Sequence, residues 1–343
     1  MDNADIKPII RYLVKKKMLT FEIMEDLVST LGPNAPSRPT VKKWVRFFKK
    51  RKEIEEKNKK KADQSQAQFQ KKIDKIFSMV LDDKRLQCRE IAADMGMSED
   101  NISDILENIL QMKKYCSRWV PQYLSREQKL IRVRFAKKSL VHFENGSKDF
   151  MEKFITSDQT WIHFNVPLDE PEESDDSKQS SDVLPAAKML LSVFWDAKGI
   201  ILIDYHDQAL TGEIYANSLN NLSKALKEKR PDLVNKKIIL QQTNIELQNV
   251  PVAIAKLFEL GFELFDHPPY SPDLSPSDYY LFPKLKANLN GLKLSSKEEV
   301  VTNVNEVLYK LHGVACNKAI DSLERRWKRC IEFRGEYIGA YLR

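Results

Sequence analysis

Residues 270–282 present a carboxylate at a position that its neighbours fix. They read Tyr-Ser-Pro-Asp-Leu-Ser-Pro-Ser-Asp-Tyr-Tyr-Leu-Phe and follow an apolar run, so Asp278 comes just after a turn punctuated by Pro272 and Pro276. Proline locks its own φ angle and restricts the residue before it, which makes such a turn rigid. Carboxylate oxygens are ligands that hard cations such as Mg²⁺ prefer. Asp278 is therefore the first candidate for chemistry.

A basic block at residues 42–61 is the second feature that could do chemistry. It holds 11 Lys or Arg residues against three Glu residues. Such a block is either a solvated helix face or linker, or a phosphate-contacting segment that doubles as a nuclear import signal. We favour phosphate contact because the block joins two candidate DNA-binding modules. The candidate DNA-binding residues are Thr40, Lys42, Lys43, Arg46, Lys49, Lys50, Arg51 and Lys52.

Length and composition restrict the class of protein. A chain of 343 residues with 42% hydrophobic and 9% aromatic residues suits two or three globular domains. No apolar run approaches the length of a membrane span, and the N-terminus lacks the pattern of a signal peptide, so we expect an intracellular protein. The four cysteines are widely spaced and suggest neither a disulfide framework nor a zinc site.

The elements that must position these residues are predicted to be helices in the N-terminal part of the chain, and alternating strands and helices in the C-terminal part. Apolar residues at helical spacing predict three helices in residues 5–50, the third capped by Thr40, and a second three-helix unit. In that second unit we expect Gly96 to make the tight turn and Ser98 to cap the last helix. A basic helix that includes Arg132 follows, either as a solvated surface or as a DNA contact. From residue 150 onward, strand-like and helix-like patterns alternate, as in an α/β layer.

The domain boundaries follow from these patterns. We predict a first helix-turn-helix unit at 1–50, a basic linker or exposed helix at 51–68, a second helix-turn-helix unit at 69–115, a linker and basic helix at 116–149, and a mixed domain at 150–343 with an acidic insert at 168–182.

The motif that contains Asp278 resembles the YSPDLxPxDYxLF motif of mariner-family transposases. Residues 39–47 are similar to the third helix of the family's N-terminal module, residues 118–126 to its WVPHxL linker, and residues 154–164 to the strand that carries its first catalytic aspartate, here Asp158. The resemblance covers nearly the whole chain in the family's order. It implies an α plus α/β fold, with paired helix-turn-helix domains followed by an RNase H-like catalytic-type domain.

The resemblance also implies a chemistry and a set of partners. The family's reaction is metal-assisted cleavage and joining of DNA, with two Mg²⁺ ions held by three aspartates, of which Asp158 and Asp278 would be the first and last. Double-stranded DNA is the implied partner, and the chain would act as a homodimer. The linker residues implied to support dimer contacts are Trp119, Val120, Pro121 and Leu124.

The middle aspartate of that set is missing. The family has 34 residues between its last two aspartates, and counting back from Asp278 lands on Thr243, whose hydroxyl is neutral. Gln242 and Gln248 further replace the two histidines of the family's HDNAxxH pattern. Glu246 lies close in sequence, but three residues past the strand end it should point elsewhere. We therefore expect Mg²⁺ binding to be weak or lost and transposition to be inactive.

The segment at 168–182 is a second departure from the family. The family places a basic DNA-gripping insertion here, whereas this chain has six acidic residues between Asp169 and Asp176, which oppose a DNA backbone. The segment is either an unconstrained loop or a protein-docking site. We predict a domesticated or decayed mariner-like transposase that acts as a nuclear DNA-binding protein. The alternatives are a residual nicking endonuclease that uses Asp158 and Asp278, and a protein-interaction scaffold that uses the acidic insert.

Overall fold

The computed structural model describes residues 3–144, 147–165, 186–234, 236–243, 250–311 and 313–341. The chain forms two compact units, Met1–Lys75 and Ile76–Arg343. Among the helices within these ranges, none is long and apolar enough to cross a lipid bilayer.

The first unit is built from helices that share one apolar core. Its helices are α1 (Asn3–Lys15), α2 (Thr20–Leu31) and the N-terminal part of α3 (Arg38–Asp82). The core consists of Ile10, Leu13, Val14, Ile23, Leu27, Val41 and Val45. Within each helix these residues lie three or four positions apart, which is the spacing of a helix with one buried face. The helical prediction for this region is therefore confirmed.

Helix α3 is longer than the sequence suggested. Residues 51–68, predicted as a basic linker or exposed helix, lie inside it. The sequence from residue 40 to residue 82 contains no glycine or proline and is rich in the strong helix formers Lys, Glu, Gln and Ala, so nothing ends the helix at residue 50. The helix also begins at Arg38, which places Thr40 in its first turn and not at its cap. The Thr40 hydroxyl lies 2.9 Å from Ser37 Oγ.

The second unit begins with two short helices and a hairpin. These elements are α4 (Cys88–Met95), α5 (Glu99–Asp104), β1 (Met112–Tyr115) and β2 (Arg118–Pro121). Gly96 ends α4 with a φ of 58°, in the left-handed region that favours glycine. The Ser98 hydroxyl accepts a hydrogen bond from the Asn101 N–H at 3.3 Å and caps α5. Both roles were predicted, whereas the β1–β2 hairpin was not.

A mixed five-stranded sheet forms the centre of this unit. Its strands are β3 (Phe154–Asn165), β4 (Ala186–Asp196), β5 (Gly199–His206), β6 (Ile239–Gln242) and β7 (Glu263–Phe265). The order is β5-β4-β3-β6-β7, with the first three strands antiparallel and the last three parallel. The predicted turn at Lys198 and Gly199 joins β4 to β5, and both residues donate a backbone N–H to Asp196 Oδ1, at 2.8 and 2.9 Å.

Helices cover both faces of the sheet. They are α6 (Arg126–Glu144), α7 (Ser147–Lys153), α8 (Gly212–Lys229), α9 (Pro251–Glu259), α10 (Phe282–Leu289), α11 (Lys297–Lys310) and α12 (Gly313–Glu332). Successive residues of a strand point to opposite faces. Phe154 joins a core that includes Trp327 of α12, while Ile155 joins a second core that includes Leu219 of α8. The strands are therefore buried on both sides.

Candidate functional site: a carboxylate pair bound by two arginines

The central strand and its neighbours bring three of the predicted site residues together. Asp158 lies within β3, and Asp278 lies in the helical turn that precedes α10. Strands β3 and β6 run parallel with Ser157 opposite Gln242, so Thr243, the next residue after β6, falls beside Asp158. The exposed fractions of Asp158, Thr243 and Asp278 are 1%, 6% and 0%. The neutral hydroxyl thus sits next to the first carboxylate, in a site closed to solvent.

Two arginine side chains that the sequence did not single out close around the carboxylates. Arg85 Nη2 lies 2.5 Å from Asp158 Oδ2 and 2.5 Å from Asp278 Oδ1. Arg118 Nη2 lies 3.3 Å from Asp158 Oδ1, and Arg118 Nη1 lies 3.2 Å from Asp278 Oδ2. Every carboxylate oxygen therefore has a guanidinium nitrogen close by. Two positive charges balance two negative ones, which is the condition under which charged groups are tolerated in an interior.

Arg85 is the more deeply buried of the two cations, with an exposed fraction of 3%. It also donates to the backbone carbonyl of Gln159. Its guanidinium carbon lies 4.5 Å from the ring centroid of Phe282. Phe282 is the last residue of the motif at residues 270–282, here called the Tyr270 motif. A planar guanidinium can stack on an aromatic ring while its edge binds carboxylates, which a lysine ammonium cannot do.

The protonation of the site follows from burial and from these cations. Burial tends to raise the pKa of Asp158, but the Arg85 and Arg118 guanidiniums and the Thr243 hydroxyl lower it below its ordinary value. Burial raises the pKa of Asp278, against the attraction of the same two arginines. Burial also lowers the pKa of the neighbouring His267 to about 3, so this imidazole is neutral at pH 7. The cationic charge beside the carboxylates comes from the two arginines.

The first aspartate of the Tyr270 motif has a separate, structural role. Asp273 accepts two hydrogen bonds from Arg132, from Nη1 at 2.8 Å and from Nη2 at 2.7 Å, and both side chains are fully buried. The prediction that Arg132 is solvated or contacts DNA is therefore wrong. The sequence carries a signal for this, because Arg132 lies at helical spacing from the buried residues Phe135, Ala136 and Ser139.

The candidate DNA-binding residues lie on α3, opposite its buried side. Lys42, Lys43, Arg46, Lys49 and Lys50 are exposed, whereas Val41 and Val45 belong to the core of the first unit. The side chains of Arg51 and Lys52 lie outside the described residues. The corresponding part of the second helical unit exposes carboxylates instead, namely Glu99, Asp100, Asp104 and Glu107.

The linker residues pack inside the chain in this structure. Trp119, Val120 and Leu124 are buried, with Val120 and Leu124 packed around Tyr337. Pro121 is half-buried at the end of β2. Their role in dimer contacts stays a prediction. Glu246 and Gln248, and the acidic insert at 168–182 with its predicted protein partner, lie outside the described residues.

Sequence relatives agree with this architecture. A family model described as a transposase, partial DDE domain, matches residues 169–236. The chain is 27% identical over 354 residues to the Mariner Mos1 transposase of Drosophila mauritiana, covering 98% of each protein. It is 25% identical over 345 residues to the human histone-lysine N-methyltransferase SETMAR, covering 98% of this chain and 49% of SETMAR. The chain thus spans about half the length of SETMAR.

Solved structures give the same fold. The crystal structure of the catalytic domain of Mos1 mariner transposase matches with a TM-score of 0.56 and 27% identity, over 64% of this chain and 99% of that one. A pre-cleavage Mos1 transpososome matches with a TM-score of 0.55 and 22% identity, over 98% of this chain and 99% of that one. The predicted fold class, a helical N-terminal region followed by an RNase H-like domain, is confirmed.

A helical N-terminal region, an RNase H-like sheet, and carboxylates on β3 and ahead of α10 are the architecture of a DDE-type transposase fold. Within that class, the chain is similar to the mariner transposases.

The residues at this site do not fit the divalent metal that the family uses. The Mos1 catalytic domain has been solved with Mn and with Mg. Here the middle position offers only the Thr243 hydroxyl, and guanidinium nitrogens already contact all four oxygens of the remaining aspartates. Within the described part of the chain, no three His, Cys, Asp or Glu side chains are grouped so as to hold a metal ion. We therefore derive no metal-dependent step for this chain.

Proposed function

We propose that this chain is a mariner transposase-derived protein that binds double-stranded DNA in the nucleus without cleaving it. One observation carries the proposal: Arg85 and Arg118 bind Asp158 and Asp278, beside the neutral Thr243, which stands where the family resemblance implies the middle aspartate. The chain then keeps the family's fold and its basic helix and lacks the family's reaction.

Loss of cleavage follows from the charges at the site. A two-metal mechanism activates the attacking oxygen and stabilises the leaving one, and each metal needs anionic protein ligands beside water and substrate phosphate. Thr243 contributes no charge, and the two guanidiniums cancel the charge of Asp158 and Asp278. Because the site is neutral before any metal arrives, it offers little attraction for a divalent cation.

DNA binding is supported by the charge pattern of α3. Five basic side chains from Lys42 to Lys50 lie on its exposed surface, while Val41 and Val45 pack in the core shared with α1 and α2. A helix held by a small core, with arginine and lysine facing outward, can place those groups against phosphates and base edges in a major groove. The acidic surface of α5 would instead be repelled by the DNA backbone. The proposed reading element is therefore α3.

A homodimer is the proposed assembly on DNA. Mos1 has been solved as a paired-end complex with the left transposon end. The buried Trp119, Val120 and Leu124 would fix the shape of the linker in each copy, and its exposed parts would carry the contacts between copies. Nuclear import is assigned to the basic block at residues 42–61.

Cleavage is tested with purified full-length protein and DNA that carries terminal inverted repeats, in buffer with Mg²⁺ or Mn²⁺. We expect no cleaved or joined product. Product that disappears in an Asp158→Asn variant would contradict the proposal, because it would show that the carboxylates still work as ligands. A Thr243→Asp variant should recover little activity, since Arg85 and Arg118 remain in place.

DNA binding is tested by selecting bound sequences from a random duplex pool and measuring the salt dependence of the affinity. Replacing the four residues Lys49, Lys50, Arg51 and Lys52 with alanine should weaken binding to all sequences. The salt slope should flatten by about 0.9 for each phosphate contact that is lost. An unchanged slope would remove these residues from the interface, and nuclear accumulation of the same variant would remove them from the import signal.

A residual nicking endonuclease is the second candidate, since the fold holds Asp158 and Asp278 within reach of a single arginine. The two proposals differ in one measurement. A supercoiled plasmid that becomes nicked in Mn²⁺ with the wild-type protein, and stays intact with Asp278→Asn, would favour the nuclease.

A further inference from the structure

We propose that the two former catalytic carboxylates now form a binding pocket for the Arg85 side chain, which fastens the segment between α3 and α4 to the RNase H-like domain in place of a divalent metal. The inference rests on the proposed loss of metal-dependent cleavage. It assigns Asp158 and Asp278 a structural role and makes Arg85 the internal cation of the site.

The pocket is complementary to the two terminal nitrogens and to one face of the Arg85 guanidinium. Arg85 Nη2 lies 2.5 Å from one oxygen of each aspartate, and its partner nitrogen Nη1 donates to the Gln159 carbonyl. The Phe282 ring covers the guanidinium face with its centroid 4.5 Å away. Charge, hydrogen bonding and stacking are thus supplied by three elements of the domain: β3, the turn before α10, and α10 itself.

The backbone that carries Arg85 is held as firmly as its side chain. Trp119 donates its backbone N–H to the Lys84 carbonyl at 2.7 Å and its indole N–H to the Leu86 carbonyl at 2.9 Å. Lys286 Nζ donates to the Arg85 carbonyl at 3.1 Å. These bonds fix three consecutive carbonyl groups, so Arg85 enters the pocket from a rigid segment. Little backbone entropy therefore remains to be lost when the ion pairs form.

A buried aspartate, Asp83, completes the attachment. Its Oδ1 accepts the Arg85 backbone N–H at 2.9 Å, and its Oδ2 lies 3.4 Å from His163 Nε2 on β3. Helix α4 follows directly at Cys88, so the second helical unit is joined to the sheet through this segment. Arg85 contacts one oxygen of each carboxylate and Arg118 lies beside the other, so every oxygen of the pair already faces a guanidinium. Binding of Arg85 and binding of a metal should therefore exclude each other.

The anchoring role is tested by thermal unfolding of the full chain in a mutant cycle. Arg85→Met should lower Tm by roughly 5–15 °C, because it leaves two buried carboxylates with Arg118 alone. In the Asp158→Asn/Asp278→Asn background the same Arg85→Met change should lower Tm by less than half as much, or raise it, since the buried guanidinium there has lost its partners. Arg89→Met is the matched control, because Arg89 is exposed and donates a side-chain hydrogen bond to Asn290, itself exposed, at 3.1 Å. The Tm of this variant should stay at the wild-type value.

The cation role is tested by the response of Tm to millimolar MnCl₂ at constant ionic strength. The wild-type and Thr243→Asp proteins should show no response, whereas Arg85→Met/Thr243→Asp should gain several degrees, because only there are three carboxylates free of Arg85. If the Arg85→Met single variant does not fold, two measurements still test the inference. One is the Tm change caused by Arg85→Met in the Asp158→Asn/Asp278→Asn protein, and the other is the Tm response of the Thr243→Asp protein to Mn²⁺. Equal effects of Arg85→Met in both backgrounds, or a full Mn²⁺ response with Arg85 present, would overturn the inference.

These outcomes are separate from the test of the proposed function. A wild-type protein that responds to Mn²⁺ but cleaves no DNA would refute the role of Arg85 and leave the DNA-binding proposal intact. A protein that cleaves DNA in a manner dependent on Asp158 would refute the proposed function.

Discussion

Removing Arg132 should destabilise the second unit far more than removing an exposed cation of the same helix. Arg132 and Asp273 are both fully buried and make two parallel hydrogen bonds, at 2.8 and 2.7 Å. Arg132 Nε also donates to the Gly335 carbonyl at 2.8 Å, and Asp273 Oδ2 accepts the Ile338 N–H at 3.1 Å. The pair therefore joins α6, the Tyr270 motif and the C-terminal segment.

The size of the effect follows from what an Arg132→Met variant leaves behind. Methionine fills most of the volume, but Asp273 stays buried and loses both guanidinium bonds. Breaking a buried pair by removing one partner typically costs about 3–5 kcal/mol. Burial alone would lower the pKa of Arg132, yet the Asp273 carboxylate raises it above its ordinary value, so the arginine is charged at any accessible pH. We expect a loss of about 3–5 kcal/mol in the free energy of unfolding.

Lys138→Met is the control within the same helix. Lys138 Nζ lies 2.7 Å from Asp266 Oδ2, but both side chains are mostly exposed, 66% and 61%. Exposed pairs contribute about 0–1 kcal/mol. Urea unfolding followed by tryptophan fluorescence measures both variants, with Trp327 in the core of this unit as a reporter. The reasoning fails if Arg132→Met costs no more than Lys138→Met, or if Asp273→Asn, which keeps the shape and removes the charge, is neutral.

The other predictions concern recognition and backbone geometry. Arg46→Ala should cost roughly 1–3 kcal/mol at the preferred site and relax the sequence preference, as measured by base preferences in a selected DNA pool. Glu99→Ala and Asp104→Ala should leave those preferences unchanged and keep or increase overall affinity in a binding titration; if only these two alter the preferences, α3 is not the reading helix. Gly335→Ala should lower stability by roughly 1–3 kcal/mol, measured by urea unfolding, because Gly335 has a φ of +86° and an added Cβ would overlap the carbonyl of Lys129.

The sequence predicts elements best where a local rule decides. Gly96 and Ser98 take the predicted turn and cap because the left-handed φ and the free N–H groups of a helix start each favour one kind of residue. The turn at Lys198 and Gly199 was also predicted by a local rule, because a glycine there separates two apolar strand patterns. Residues 51–68 were predicted as a linker or an exposed helix, because they lack an apolar face, and the absence of any helix breaker explains why they form the helix.

The candidate site shows where such reasoning stops. Counting from Asp278 located Thr243, and the register of β3 and β6 places it beside Asp158. Arg85 lies 73 residues from Asp158 and 193 from Asp278, so no local pattern connects them. From sequence alone, an arginine between two helices is expected to be exposed. Arg85 is buried only because the fold places two carboxylates beside it. Arg132 differs, because its helical spacing from buried residues could have revealed it.

The two aspartates of the Tyr270 motif show why the motif alone does not predict cleavage. Asp273 binds Arg132 and Asp278 binds Arg85. All four side chains are buried, with exposed fractions of 0–3%. Loss of Asp273 would remove the ion-pair partner of the buried Arg132, and loss of Asp278 would leave Arg85 with Asp158 alone, so both aspartates support the fold whether or not DNA is cut. Thr243, the residue after β6, is also buried, but its neutral hydroxyl forms no ion pair. In this chain, the neutral Thr243 after β6 therefore argues against metal binding more directly than the intact motif at residues 270–282 argues for it.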